Sequence, residues 1–187
     1  MSDLLTQEIG DQGLGTSSKT MLIVCKSKSE IIANINDLKE FINLIDKEKI
    51  NTKIITLERI MNSECLIFEK KGRIIDLVGV ERNRIKLPYI YIVVEKSVQG
   101  RGVGKKLLKY LIEFYKKEKK AMVLCAQIRK TNNISLSLHE RIGFEKISEI
   151  NYIYEFMIPL SRKGKYFIKI YKYLIRHIVK LAIHYRL

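Results

Sequence analysis

The run Gln99-Gly100-Arg101-Gly102-Val103-Gly104 is followed at once by Lys105 and Lys106. Closely spaced glycines let main-chain N–H groups approach a ligand. A helix that starts there adds unpaired donors and roughly half a positive charge. Such a loop can hold an anion of pyrophosphate size on main chain alone. No Gly-Lys-Ser/Thr ending is present for a P-loop, and the glycine spacing is not that of the dinucleotide fingerprint. The chemistry implied is phosphate binding without a metal ion. Further along, Asn132, Asn133 and His139 offer amide groups and an imidazole able to move a proton near neutral pH.

These residues need elements to hold them. Residues 21–26 form an apolar stretch that predicts a strand, and Ser27 with Glu30 three positions later is a capping-box signal for a helix. Apolar residues then recur at helical intervals, first Leu38, Phe41, Ile42 and Ile45, then Leu57, Ile60 and Met61. After these the period shortens. Residues 66–69 and 74–81, around a Lys-Lys-Gly turn at 70–72, predict a hairpin, and 89–95 predict a third strand. The glycine loop leads into a helix over 102–118, and a fully apolar strand follows at 121–126. A helix over 132–142 ends at Gly143, which suits the left-handed cap, and 150–160 close the sheet with Pro159 at the end. The expected fold class is α+β, a mixed and mostly antiparallel sheet with helices on both faces.

The chain has 187 residues and a formal charge of +15, and the excess is clustered. Residues 96–120 hold nine bases and two acids, and residues 161–187 hold eight bases and no acid, so the remainder is neutral. Two places face something negative. Cys25, Cys65 and Cys125 each lie in an apolar run without metal or redox spacing, which points to a reduced, cytoplasmic protein that needs no metal. Residues 1–20 carry acids and glycines where a secretion signal has bases and an apolar stretch. They read as a disordered leader to a domain over 21–160, followed by a basic amphipathic helix over 161–187.

Two segments together carry a family resemblance. Gln99, Gly102 and Gly104 after a strand ending in Val94, with Leu107 and Leu108 just inside the helix, resemble the acetyl-CoA loop of the GNAT superfamily of N-acetyltransferases. The segment Asn132-Asn133-Ile134-Ser135-Leu136-Ser137-Leu138-His139-Glu140-Arg141-Ile142-Gly143-Phe144 is similar to that superfamily's later helix, and its ending is nearest to the phosphinothricin-type branch. The resemblance implies an enzyme that transfers an acetyl group from acetyl-CoA to a primary amine of a small molecule or a protein. It implies that Ile92, Val93 and Val94 pair with the pantetheine arm. The pyrophosphate would lie on the amides of Gly100, Arg101, Gly102, Val103 and Gly104, with Arg101 and Lys105 adding charge-assisted contacts and Gln99 part of the same cofactor loop. Asn132, or Asn133 by a one-residue slip, would touch the cofactor, although either can equally cap the helix. His139 falls where relatives protonate the departing thiolate, and a packed core His is the other reading.

The chain departs from the phosphinothricin-type pattern at Tyr89, where those relatives carry a Glu. A neutral Tyr, with an ordinary pKa of about 10, is a poor base at pH 7. Asp76, Glu81 and Glu95 are the nearby carboxylates, and Tyr89 with Tyr91 can instead shape an amine pocket or pack in the core.

In the tail, bases at 165, 169, 172, 176 and 180 line one ridge of a helix whose other faces are apolar. Each base would cost about 2.5–3.5 kcal/mol in a bilayer core, so a membrane span is disfavoured. Docking onto the chain's own sheet or onto a second copy as a homodimer is favoured, and lying flat on an anionic membrane remains open. No motif for specific nucleic-acid binding is present. A non-catalytic acyl-CoA-binding module, or a membrane-tethered interaction protein, is the alternative to an enzyme.

Overall fold

A computed structural model describes the backbone of residues 6–9, 20–48, 55–118 and 120–184, and the side chains of residues 20–48, 55–118 and 120–177. The chain divides into two compact units, one of Met1–Asn83 with Ile90–Leu111 and one of Arg84–Tyr89 with Ile112–Leu187.

The first unit contains strands β1 (Thr6–Ile9), β2 (Thr20–Cys25), β3 (Cys65–Lys71) and β4 (Arg73–Arg82), and most of β5 (Pro88–Val94), side by side in that order. β1–β2, β2–β3 and β3–β4 are antiparallel, with a register shift at Glu69/Lys70. Helices α1 (Lys28–Ala33), α2 (Ile35–Lys47) and α3 (Leu57–Met61) lie between β2 and β3 in the chain. The capping box forms as expected. Ser27 Oγ accepts the Glu30 N–H at 3.3 Å, and Glu30 Oε2 accepts the Ser27 N–H at 3.2 Å. α2 buries Leu38, Phe41 and Ile45, its i, i+3, i+7 face, in one cluster with Phe68, Leu77 and Val93.

The structure departs from the sequence expectation at the amino terminus. Thr6–Ile9 pair with β2 as a strand, from Thr6 opposite Ile23 to Ile9 opposite Thr20, where a disordered leader over 1–20 is expected. An edge strand of four residues is held by ladder hydrogen bonds and needs little apolar packing, so composition does not reveal it. Residues 1–5 and 10–19 lie outside the described residues.

The second unit holds β6 (Val123–Arg129), α5 (Asn133–Ile142), β7 (Glu145–Ile150), β8 (Ile153–Pro159) and α6 (Arg162–His184). Its strand order is β6-β8-β7, all antiparallel. α4 (Val103–Lys117) runs from the glycine loop, and its residues divide between the two units. α6 packs on the unit's own strands β7 and β8. Ile168 is buried with Tyr89, Val123, Cys125 and Met157, and burial of one such side chain is worth about 1.5–3 kcal/mol. α6 approaches closely because residue 164 is a glycine. A Cβ there would stand 2.0 Å from the Met122 carbonyl oxygen. The fold is the α+β class expected, a mixed and mostly antiparallel sheet with helices, and the C-terminal helix is present.

Candidate active site

In the first unit, β5 runs through Ile92, Val93 and Val94 to Glu95 and a 3-10 turn at Lys96–Val98. Val93 is buried, and Ile92 and Val94 are half-buried. Gln99 Nε2 donates to the Val94 carbonyl at 2.9 Å, tying the loop to the strand end. Gly100 and Gly102 then take φ of 79° and 80°, a conformation other residues adopt only with strain. A Cβ at either position would meet nothing within 4 Å, so these glycines are required by backbone angle, and the space beside them is open. The Lys106 N–H donates to the Gly102 carbonyl at 3.0 Å, which leaves the amides of Val103, Gly104 and Lys105 ahead of the helix's own ladder. Arg101 and Lys105 are exposed and make no ion pair with any described residue. The loop therefore offers main-chain donors, a helix start and two exposed cations to an anion.

Lys106 points elsewhere. Its Nζ is 2.9 Å from Glu69 Oε1, a carboxylate on β3 that is almost wholly buried. Glu69 lies opposite Asp76 on β4, and Asp76 Oδ1 accepts the Glu69 N–H at 3.0 Å. Burial, with the Glu69 charge in second place, pushes the Asp76 carboxyl up to about 7. That value suits a general base, but Asp76 is fully covered and its Oδ2 has no hydrogen-bond partner. The other candidate bases are committed. Glu81 is ion-paired with Arg59, whose guanidinium lies 4.3 Å above the Tyr91 ring. Glu95 is buried and accepts from Arg73 and, at 2.7 Å, from Ser97 Oγ. Tyr91 is a core residue, its hydroxyl 2.7 Å from Ser63 Oγ.

In the second unit, Asn132 caps α5, its side chain accepting the Ser135 N–H at 3.1 Å, and Asn133 opens the helix. Both are exposed. Gly143 ends the helix at φ 104°, and the Phe144 N–H returns to the His139 carbonyl at 3.0 Å. His139 is buried edge-on to Phe144, with ring centroids 5.0 Å apart. Its Nδ1 is 2.8 Å from the Ser135 carbonyl oxygen, and burial holds its pKa below the ordinary 6.5. A carbonyl only accepts, so Nδ1 carries the hydrogen and Nε2 of the neutral ring is a bare lone pair. In this state His139 can take a proton and cannot give one.

Tyr89 is also buried, and its hydroxyl donates to Glu155 Oε1. Ser148 Oγ donates to Glu155 Oε2 at 2.9 Å. Burial and the neighbouring carboxylate raise the Tyr89 phenol well above its usual range, so it remains a donor. Glu155 is the residue that sequence reasoning missed. Its signal was a lone acid between Tyr154 and Phe156 in an otherwise apolar strand. Cys25, Cys65 and Cys125 are buried thiols outside any disulfide, and burial pushes the Cys125 thiol up to about 12, which makes it inert at neutral pH. Among the described residues no cluster of three or more His, Cys, Asp or Glu is placed to hold a metal ion.

The chain is 29% identical over 80 residues to the N-alpha-acetyltransferase RimI of Mycobacterium tuberculosis, a match over 41% of this chain and 48% of that relative, about half its length. Its fold resembles that of yncA from Salmonella typhimurium, whose structure contains its cofactor acetyl-CoA (TM-score 0.53, 17% identity, 75% of this chain and 95% of the other). It likewise resembles the ribosomal-protein-S18-alanine N-acetyltransferase of Escherichia coli (TM-score 0.53, 16% identity, 75% and 95%). The sequence profile of the Acetyltransferase (GNAT) family matches residues 35–144, more than half of the chain, which therefore belongs to that family.

Proposed function

We propose that the chain transfers the acetyl group of acetyl-CoA to a primary amine by direct attack. The observation that carries this reading is the open glycine turn at Gly100 and Gly102, which presents the amides that start α4 beside Arg101 and Lys105. Family membership supports the same reaction. In it, Gly100, Arg101, Gly102, Val103, Gly104 and Lys105 hold the diphosphate. The main chain of Ile92, Val93 and Val94 aligns the pantetheine arm, and Asn132 or Asn133 makes a further cofactor contact.

The amine nitrogen attacks the thioester carbonyl, the C–N bond forms, and the C–S bond breaks as the tetrahedral intermediate collapses to amide and thiolate. His139 Nε2 takes the proton that the ammonium-like nitrogen must lose and passes it to the thiolate. A buried imidazolium is a short-lived and willing donor, because burial disfavours its charged form. Tyr89 is a core residue whose hydroxyl donates to Glu155 and keeps that carboxylate in place.

The acceptor is a primary amine. The likeness to an N-alpha-acetyltransferase supports a protein amino terminus, and the Leu-His-Glu-Arg-Ile-Gly-Phe ending supports a small amine of the phosphinothricin type. Thiol release from acetyl-CoA, measured with a panel of Ala-, Ser- and Met-initiated peptides and small primary amines, tests the reading. Turnover with at least one class is expected. Calorimetric binding of acetyl-CoA with no thiol release for any amine would leave only an acyl-CoA-binding module.

A further inference from the structure

We propose that the outer face of α6 docks on an anionic lipid bilayer. Between Arg162 and His177 the helix carries three stripes. One is docked on the chain's own sheet, with Gly164 and Ile168 buried and Phe167, Tyr171 and Ile175 half-buried. The second is basic. Arg162, Lys165, Lys169 and Arg176 are exposed and pair with no described acid, and Lys172, at the inner edge of this ridge, bonds Glu145 at 2.6 Å. The third is apolar and faces water. Tyr166, Ile170, Tyr173 and Leu174 are 56%, 60%, 62% and 51% exposed, and at about 100° per residue they share one side of the helix, with exposed Lys163 and His177 at its two ends.

Single exposed apolar residues are ordinary. Four in one stripe beside a line of unpaired cations are the layout of an interfacial helix, aliphatic side chains in the acyl boundary, tyrosines at its edge and bases at the phosphates. Charge selects this occupant over a second copy. Residues 161–187 contain no acid, so a self-complementary contact would oppose two basic ridges. A nucleic acid would pair with the ridge and leave Ile170 and Leu174 in water. Among the described residues no helix is long and apolar enough to cross a membrane, so the contact is with the surface.

The test is sedimentation of the full chain with phosphatidylglycerol–phosphatidylcholine vesicles, with phosphatidylcholine alone as the comparison. Binding to the anionic vesicles only, weakening with salt, is expected. Ile170→Ser with Leu174→Ser, both at exposed positions, leaves the melting temperature unchanged and weakens binding about tenfold or more. Lys165→Glu with Lys169→Glu does the same and flattens the salt dependence. Failure to pellet with the anionic vesicles overturns the proposal, as does binding that the serine variant leaves intact. Two further outcomes also overturn it: a dimer by light scattering that the serine variant dissolves, or single-stranded RNA bound more tightly than vesicles through the same residues.

Discussion

The Nδ1 atom of His139 lies 2.8 Å from the main-chain oxygen of Ser135, one turn earlier in α5. That contact places the hydrogen of the neutral ring on Nδ1, and burial holds the ring's pKa below the ordinary 6.5. An Asn at 139 keeps an N–H near Ser135 and removes Nε2. His139→Asn is therefore expected to lower kcat about 100-fold with little change in the KM for acetyl-CoA, within the usual range for a lost acid–base group. Wild-type kcat/KM should fall as pH drops through a pKa below 6.5, and that acid limb should vanish in the variant.

The same shift has a stability consequence. Below 6.5 the unfolded chain takes up a proton at His139 that the folded chain resists, so the folded state loses stability as pH falls from 6.5 toward its own lower pKa. His139→Asn should flatten this part of the melting-temperature profile, as measured by scanning fluorimetry.

Gly102 and Gly79 separate binding from folding. At Gly102 a side chain meets no atom within 4 Å but strains a φ of 80°, so Gly102→Val should cost about 1–2 kcal/mol of stability while raising the KM for acetyl-CoA at least about tenfold. At Gly79 a Cβ would lie 2.2 Å from the Tyr91 hydroxyl. Gly79→Ala should unfold the protein more readily, by about 1–3 kcal/mol in denaturant titration, with acetyl-CoA affinity of the folded fraction unchanged.

Local chemistry made the loop and the caps legible in sequence. Gly102, Gly143 and the Ser27/Glu30 pair act through the backbone of their own segment, so their residue types reveal their roles. His139 could be located but its tautomer could not, because the deciding partner is a main-chain oxygen that carries no residue identity. Lys106 and Glu69, and Tyr89 and Glu155, were not legible as pairs. The latter residues lie 66 positions apart, on β5 and β8, and neither local segment carries a mark of the other. Glu81 and Glu95 looked available as bases only while Arg59 and Arg73 had no place in the fold.

Tyr89 and Glu155 should be energetically coupled. Tyr89→Phe deprives a buried carboxylate of a donor, a loss of about 1–3 kcal/mol. Glu155→Gln removes the charge and keeps an acceptor, so the double variant is expected to lose clearly less than the two single losses combined. Urea unfolding of the four proteins measures this, and strict additivity would show that the contact carries no energy.

Asp76 supplies the last case, because its carboxyl is buried against Glu69 and titrates near 7. Between its unfolded value of 3.8 and about 7 the folded chain binds a proton that the unfolded chain does not. Its contribution therefore strengthens as pH falls through 7 and is lost as pH rises through it. Asp76→Asn retains the acceptor for the Glu69 N–H and has no charge to bury. At pH 8 the variant should melt several degrees above the wild type, about 5 °C on the usual scaling for this size, and the gap should narrow as pH is lowered below 6. A gap that does not depend on pH would place the cost in packing and not in the buried charge.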